Sequence, residues 1–554
     1  MSKLKVIKRD GLIKDFDEGR IISAVKKAYG EAELEVNIDI LGDILKKVQE
    51  VGKDKERLSV EEIQDIVVDI LKGEDPLVGD LYEKYRLERN FEREKNSELV
   101  KEIDKIIDQK SEENTSNANV DGSKLQSWRA LVSNYVLGKY SMYKYIPKKY
   151  RKKHKKELYI HDLPYFGLGI YNCNVINWQN MFQYGFKIGS TQIESPKSLT
   201  SAINILSQVA SHIASNTYGG CSFGNLPTGL TPYAKLSLEK HRKMAEACVM
   251  PEKRDWYIKT MFEKECEDVA QSLEYEVQTL MTSRGETPFL TIGLDPVDEF
   301  ADEETKYIQE TITKAILNQR IKGLTGGITP VFPKIVYHLR RGNNLNPGDP
   351  YYHLFKLAIK CSAFRGYPDY LNEERLRDVT GTVIVPMGCR SFPSLFLDKN
   401  GNEVTSGRFN WGVLSINLVR LAIKAKGDEN KFFKQLDEVL NDCKELFKIK
   451  YNILKNIKAE QAPILYMSGA IARLDAKDTI EPLLNNNYSS VSIGYVGLHN
   501  CLRALYGEGL ENQNPKMIQK GEAIMQHIRD FCDKQKKETG IGYSMYGTPK
   551  SVGV

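Results

Sequence analysis

The stretch GTVIVPMGCRSFPSLF, residues 381–396, decides how the rest of the chain is read. A β-like run, Thr382–Val385, meets a turn made by Pro386 and Gly388, and apolar residues resume beyond Cys389. A loop of this kind can be driven into the centre of a barrel to present a single thiol. Taken alone, a cysteine among apolar neighbours is more often a small buried hydrophobe, so Cys389 has to be weighed against its surroundings.

From residue 128 to 554, helical stretches such as LTSAINILSQVASHIAS (199–215) and FKQLDEVLNDCKELFKIKYNILKNI (433–457) alternate with β-rich runs such as TPFLTIGL (287–294) and SSVSIGYVGL (489–498). The alternation indicates an α/β architecture with a substantially parallel sheet. At 554 residues the chain exceeds what one hydrophobic core supports, which gives roughly three to four units or one large barrel with appendages.

Charge is nearly balanced, 79 Lys and Arg against 74 Asp and Glu for a net +5, and no basic block suggests a nucleic-acid partner. The start, MSKLKVIKRDG, is charged where a secretory signal would be apolar, and no apolar run of about 18 residues follows. The expectation is a cytoplasmic protein with no membrane partner. The nine cysteines form no CxxC pair and no regular spacing, which argues against a zinc ribbon or a disulfide framework, and no metal ligand is assigned.

Residues 1–95 read as one compact module. A short β hairpin around Asp10-Gly11 precedes helices suggested by IISAVKKAYG (21–30) and VEEIQDIVVDILKG (60–73), and Ser59 with Glu62 fits a capping box. Residues 96–122 end in the polar run SEENTSNANVDG and read as a linker. Residues 123–554 form the remaining body.

In the module, VIKRDG (6–11) sets Lys8 and Arg9 beside a glycine turn, with Phe16-Asp17 and Arg20 opening a helix. Converging cations and a helix N-terminus suit a triphosphate, although a basic hairpin alone is more often a solvated surface. The whole pattern resembles the ATP-cone, a regulatory nucleotide-binding domain at the front of ribonucleotide reductases. The resemblance implies that Val6, Lys8, Arg9, Lys14, Asp17, Arg20 and Ser59 surround a nucleotide. It further implies ATP as activator and dATP as inhibitor, an action that needs two states bound differently by the two ligands.

In the body, MGCRSFP (387–393) resembles the finger-loop signature of anaerobic (class III) ribonucleotide reductases. HDLPYFGLGIYNCNVIN (161–177), the helix-rich 185–220 region, RFNWGVLSINLVRLA (408–422) and SSVSIGYVGLHNCLRALYG (489–507) continue the resemblance in the same chain order. It implies a ten-stranded α/β barrel of the glycyl-radical type behind a small, mostly helical cone. Cys389 would carry the thiyl radical that abstracts the ribose 3′ hydrogen, because S–H and activated C–H bonds are close in strength. Cys173 would be the proton donor for loss of the 2′ hydroxyl. The NxCxE motif of oxygen-dependent reductases is absent, and Asn410 matches an asparagine near the formate site of the anaerobic branch. As an isolated residue Asn410 is also an ordinary turn or cap, and His161 is left outside the catalytic set.

The family implies further a ribonucleoside triphosphate substrate, formate as co-substrate, a homodimer and a radical-SAM activating enzyme. YSMYGTP (543–549) is followed by KSVGV, without the four-cysteine zinc site and RVCGY-like glycine loop of the family. The glycyl radical and the zinc are therefore expected only in a segment this sequence lacks. A split gene with a separate glycyl-radical polypeptide, a truncated chain and an inert protein all fit that ending, as does a nucleotide-sensing remnant without turnover. Other glycyl-radical enzymes, such as acyl-cleaving lyases, are disfavoured because they carry adjacent cysteines at the finger tip and no cone.

Overall fold

A computed structural model describes residues 4–8, 12–95, 97–115, 123–388 and 391–547. The chain divides into two compact units, Met1–Lys105 and Ile106–Val554.

In the N-terminal unit, β1 (Lys5–Ile7) pairs antiparallel with β2 (Ile13–Asp15) and parallel with β3 (Arg57–Ser59). Four helices follow: α1 (Glu18–Glu31), α2 (Ile38–Lys55), α3 (Val60–Glu74) and α4 (Pro76–Lys95). Their starts are set by side-chain caps, Asp17 for α1, Asn37 for α2 and the reciprocal Ser59–Glu62 box for α3. Val25, Ile44, Val48, Leu58, Val67 and Leu71 are fully buried between the helices and the small sheet. The expected small helical unit with a β hairpin is what forms, although the tip of the hairpin, Asp10-Gly11, lies outside the described residues.

Within the expected linker 96–122, the described residues 97–115 are more ordered than a linker. ELVKEIDKII forms a helix, Glu98–Ile107, and Asn114 Nδ2 donates to the Ile106 carbonyl at 3.0 Å. Leu99, Ile103, Ile106 and Ile107 recur at helical spacing, and that period outweighs the polar composition that suggested a linker.

In the larger unit one sheet of nine strands runs in the order β11-β10-β9-β8-β5-β12-β13-β14 among the described residues, with β4 also paired to β12. The strands are β4 (Leu158–Ile160), β5 (Cys173–Val175), β8 (Cys221–Phe223), β9 (Leu290–Leu294), β10 (Lys334–Leu339), β11 (Asp369–Asn372), β12 (Arg408–Asn417), β13 (Ser490–Val496) and β14 (Gly542–Gly547). A separate hairpin joins β6 (Phe186–Ile188) to β7 (Thr191–Ile193). Strands β5, β8, β9, β10 and β11 are mutually parallel, as are β12, β13 and β14, and the two sets meet antiparallel at β5 and β12. The α/β class holds with nine strands where ten were expected, and no pairing closes β14 onto β11 among the described residues.

Strands β8, β9 and β12 are buried almost throughout, as sheets covered on both faces are. Helices such as Leu199–Asn216 and Glu429–Leu454 cover one face. The other is filled by residues 383–388 with Ser391 and Phe392. Thr382–Val385, expected to be β-like, forms no strand. The filling segment lies against the face of β8 and β9 rather than along an edge, and Pro386 has no N–H to give to a ladder. It contacts β5, β8, β9 and β13, so the sheet curls around it. No helix among the described residues is long and apolar enough to cross a membrane.

Candidate active site and nucleotide cavity

The segment from Val383 to Gly388 reaches its position because the sheet opposite carries glycines. A Cβ on Gly293 would stand 2.4 Å from Val385 Cγ1, and one on Gly220 would stand 2.4 Å from Gly388 Cα. Glycine in a strand marks such a close backbone approach. Ser222 Oγ donates to the Pro386 carbonyl at 2.6 Å and accepts from Gly388 N–H at 3.2 Å, and Thr291 Oγ1 donates to the Gly388 carbonyl at 2.9 Å. Met387 N–H donates to the Ser391 carbonyl at 2.7 Å, an isolated antiparallel bridge that sets Ser391 beside Met387. Its exit is clamped by Arg408, which is 1% exposed and donates to the Ser394, Asn487 and Val404 carbonyls at 2.8, 2.7 and 3.0 Å. Burial, with no carboxylate paired to it among the described residues, pulls that guanidinium down to about 10.

Cys389 itself lies outside the described residues. Its neighbour Gly388 has φ +62°, and a Cβ there would meet Cys173 Sγ at 3.1 Å. The turn preceding Cys389 is thus laid against Cys173. The Cys173 thiol accepts from Gly220 N–H at 3.2 Å and donates to Asn172 Oδ1 at 3.2 Å. Val175, Ile384, Val385 and Met387 pack around it.

Asn410 is opposite Cys173 in the antiparallel register of β12 and β5. It is fully buried, and a register shift between Asn410 and Gly412 bends β12 at this point. Its Nδ2 donates to Ser492 and Ser490 Oγ at 2.8 and 3.3 Å, and its Oδ1 accepts from Gly412 N–H at 3.1 Å. Ser492 Oγ continues to Ser544 Oγ at 2.8 Å and Ser391 Oγ at 3.3 Å. The structure thus brings Cys173 and Asn410 together beside the turn before Cys389. It adds a ladder of serine hydroxyls that sequence reading missed, although Ser490 and Ser492 recur at the strand period of two inside SSVSIGYV. His161, set aside earlier, bonds Ser415 Oγ at 2.7 Å, and burial takes its imidazole down to about 4.

At the carboxyl ends of β5 and β8 a cavity of about 240 Å³ lies between Asn177, Asn225, Val385, Thr405 and Ser406. Two helices, Trp178–Tyr184 and Leu226–Cys248, begin there, and Asn225 makes no side-chain cap bond. First-turn N–H groups at such ends favour anions. No cluster of three or more His, Cys, Asp or Glu that could hold a metal ion occurs among the described residues.

In the N-terminal unit a cavity of about 390 Å³ is lined by Val6, Lys8, Lys14, Asp17 and Arg20 together with Phe16, Ile63, Gln64 and Tyr82. Asp17 also serves α1, accepting from Gly19 N–H at 3.1 Å. Ser59 is engaged elsewhere: it accepts from Glu62 N–H at 3.1 Å and does not line the cavity. Arg9 falls outside the described residues. Gln64 and Tyr82, from α3 and α4, carried no motif by which sequence could have picked them.

The profile of the anaerobic ribonucleoside-triphosphate reductase family matches residues 116–551, and that of the ATP cone domain matches residues 4–94. The anaerobic ribonucleoside-triphosphate reductase of Haemophilus influenzae is 39% identical over 99% of this chain and 77% of its own length. That of Escherichia coli K12 is 37% identical over 98% and 76%, and that of phage T4 is 36% identical over 81% and 73%. The anaerobic ribonucleotide reductase of Thermotoga maritima shares the fold, with a TM-score of 0.56 at 14% identity over 82% of this chain and 84% of that one. The chain belongs to the anaerobic ribonucleoside-triphosphate reductase family and carries an N-terminal ATP cone domain.

Proposed function

We propose that this chain reduces ribonucleoside triphosphates to 2′-deoxyribonucleoside triphosphates by thiyl-radical chemistry with formate as reductant, under control of ATP and dATP at the N-terminal unit. The observation that supports it is the pairing of Cys173 with Asn410 across β5 and β12, with the turn before Cys389 laid on the Cys173 thiol.

In this reading a thiyl at Cys389 takes the 3′ hydrogen, and Cys173 gives a proton to the departing 2′ hydroxyl, which leaves as water. Formate then supplies two electrons and a hydrogen and departs as carbon dioxide. The sum is NTP + HCOO⁻ + H⁺ → dNTP + CO₂ + H₂O. The amide of Asn410 is already engaged with Ser490, Ser492 and Gly412. Its role is therefore to hold the serine hydroxyls that meet the formate carboxylate. The triphosphate takes the cavity at the two helix starts.

A thiol cannot oxidise itself, so the radical reaches Cys389 from a glycyl radical raised by a radical-SAM activating enzyme. The working assembly is a homodimer. The test is strictly anaerobic incubation with a ribonucleoside triphosphate, formate, activating enzyme, S-adenosylmethionine and a supplied glycyl-radical polypeptide. Deoxynucleotide should form, and dATP should suppress it. Binding of dATP with no deoxynucleotide formed would instead favour a nucleotide sensor.

For the cone cavity, the double variant Lys8→Ala, Arg9→Ala should weaken dATP binding at least about tenfold. Each lost charge-assisted bond is worth roughly 1.5–3 kcal/mol. Calorimetry on residues 1–105 checks this, and unchanged affinity would remove these cations from the site.

A further inference from the structure

The chemistry above leaves unused a buried cluster beside β5. Lys450, on helix Glu429–Leu454, is 2% exposed. Its Nζ is 3.4 Å from the Tyr218 hydroxyl and lies over the rings of Tyr218 and Phe166, 5.1 and 5.5 Å from their centroids. A lysine buried for structure is normally paired with a carboxylate. None among the described residues forms an ion pair with Lys450, and Asp162 acts on it only at longer range.

The other groups facing this pair come from several elements. Asp162 sits in the left-handed region at φ +49°. Tyr165 stacks on Tyr218 at 5.0 Å, and Arg284, paired with Glu286 at 2.8 Å, lies 5.6 Å over the Tyr165 ring. Tyr546 on β14 and Cys173 on β5 also act on Tyr218.

Tyr218 leads directly into the wall of the Cys173 site. Gly220 N–H donates to Cys173 Sγ, and a Cβ on Gly219 would stand 2.6 Å from that sulfur. Cys173 is 9% exposed and otherwise packed by apolar side chains. The proposed reaction consumes one proton per turnover, so a proton has to reach this enclosed thiol each cycle.

We propose that Lys450, acting through the Tyr218 hydroxyl, holds the proton that restores Cys173 after each loss of water, a role that rests on the reductase reading. The Cys173 thiolate takes the Tyr218 proton, the O–H bond breaking as S–H forms. Lys450 passes a proton to the same oxygen as the first one leaves, because burial pushes the Tyr218 hydroxyl well above its ordinary value and disfavours a free phenolate, and the amine is recharged from solvent by way of Asp162. Burial brings Lys450 down to about 7 and lifts Asp162 to about 6, so both change protonation near neutrality, as proton transfer in both directions requires.

The ammonium form exists below about 7, so kcat should fall as pH rises through that value. The test uses the full chain with the radical source supplied, comparing the parent with Lys450→Met, Lys450→Arg and Tyr218→Phe. Lys450→Met and Tyr218→Phe should lower kcat about 100-fold with KM for the nucleotide unchanged. Lys450→Arg keeps the charge but cannot release its proton, so it too should be slow, and both Lys450 variants should lose the limb near neutrality. All three should keep 3′-hydrogen exchange, because that step precedes proton delivery. Parental kcat and pH profile in Lys450→Met, or full rescue by Lys450→Arg, would overturn the proposal. If Lys450→Met fails to fold, parental kcat in Tyr218→Phe would overturn it equally. A parent that gives neither exchange nor product would overturn the reductase reading itself, and this proposal with it.

Discussion

Cys389→Ser is expected to abolish both deoxynucleotide formation and 3′-hydrogen exchange, whereas Cys173→Ser should abolish only the first. An alcohol O–H bond is too strong to form a useful radical at the finger tip, so Cys389→Ser stops the chemistry before any C–H bond breaks. In the proposed reaction Cys173 acts afterwards, on the leaving 2′ hydroxyl, and a serine there is too weak an acid to replace it. The sugar radical then returns its hydrogen or decays with release of free base. Both variants should lose at least about a thousandfold in turnover. Tritium release from 3′-labelled substrate separates them, and normal deoxynucleotide formation by either variant would remove that cysteine from the mechanism.

Gly220→Ala is expected to lower turnover about 100-fold or more with the fold retained. The added Cβ would come within 2.4 Å of Gly388 Cα and 2.8 Å of Phe289 Cδ1. Gly388 is backbone and cannot swing aside, and its own φ of +62° with Cys173 beyond it leaves little room to retreat. The turn before Cys389 has to move by about 1 Å, a misplacement that costs on the order of 10² in rate. Overpacking should also take about 1–3 kcal/mol from stability. Turnover and a melting curve on the same preparation check both parts, and parental kcat in Gly220→Ala would contradict the packing described for the loop.

Much of the site's geometry was legible in the sequence because the residues of the proposed chemistry lie in recognisable blocks. Cys173 in YNCNVIN and Asn410 in RFNWGVL were singled out separately, and β5 and β12 bring them into register. The capping box at Ser59 was readable because its two partners are three residues apart. Thr382–Val385 misled because β-branched residues also suit an extended segment pressed against a sheet face, and nothing local distinguishes face from edge. The helix Glu98–Ile107 was masked by its charged residues. Lys450 was invisible for a different reason: it lies 232 residues from Tyr218, and only the packed helix brings its amine to the tyrosine.

The most direct test of reduction by formate at this site is the ratio of carbon dioxide to deoxynucleotide. Labelled formate is supplied with a ribonucleoside triphosphate under strict anaerobiosis, with the activating system and a source of the glycyl radical present. The account requires one carbon dioxide for each deoxynucleotide, both absent when Cys389 is replaced by serine. Deoxynucleotide formed at an undiminished rate without formate, or carbon dioxide released independently of it, would contradict the account.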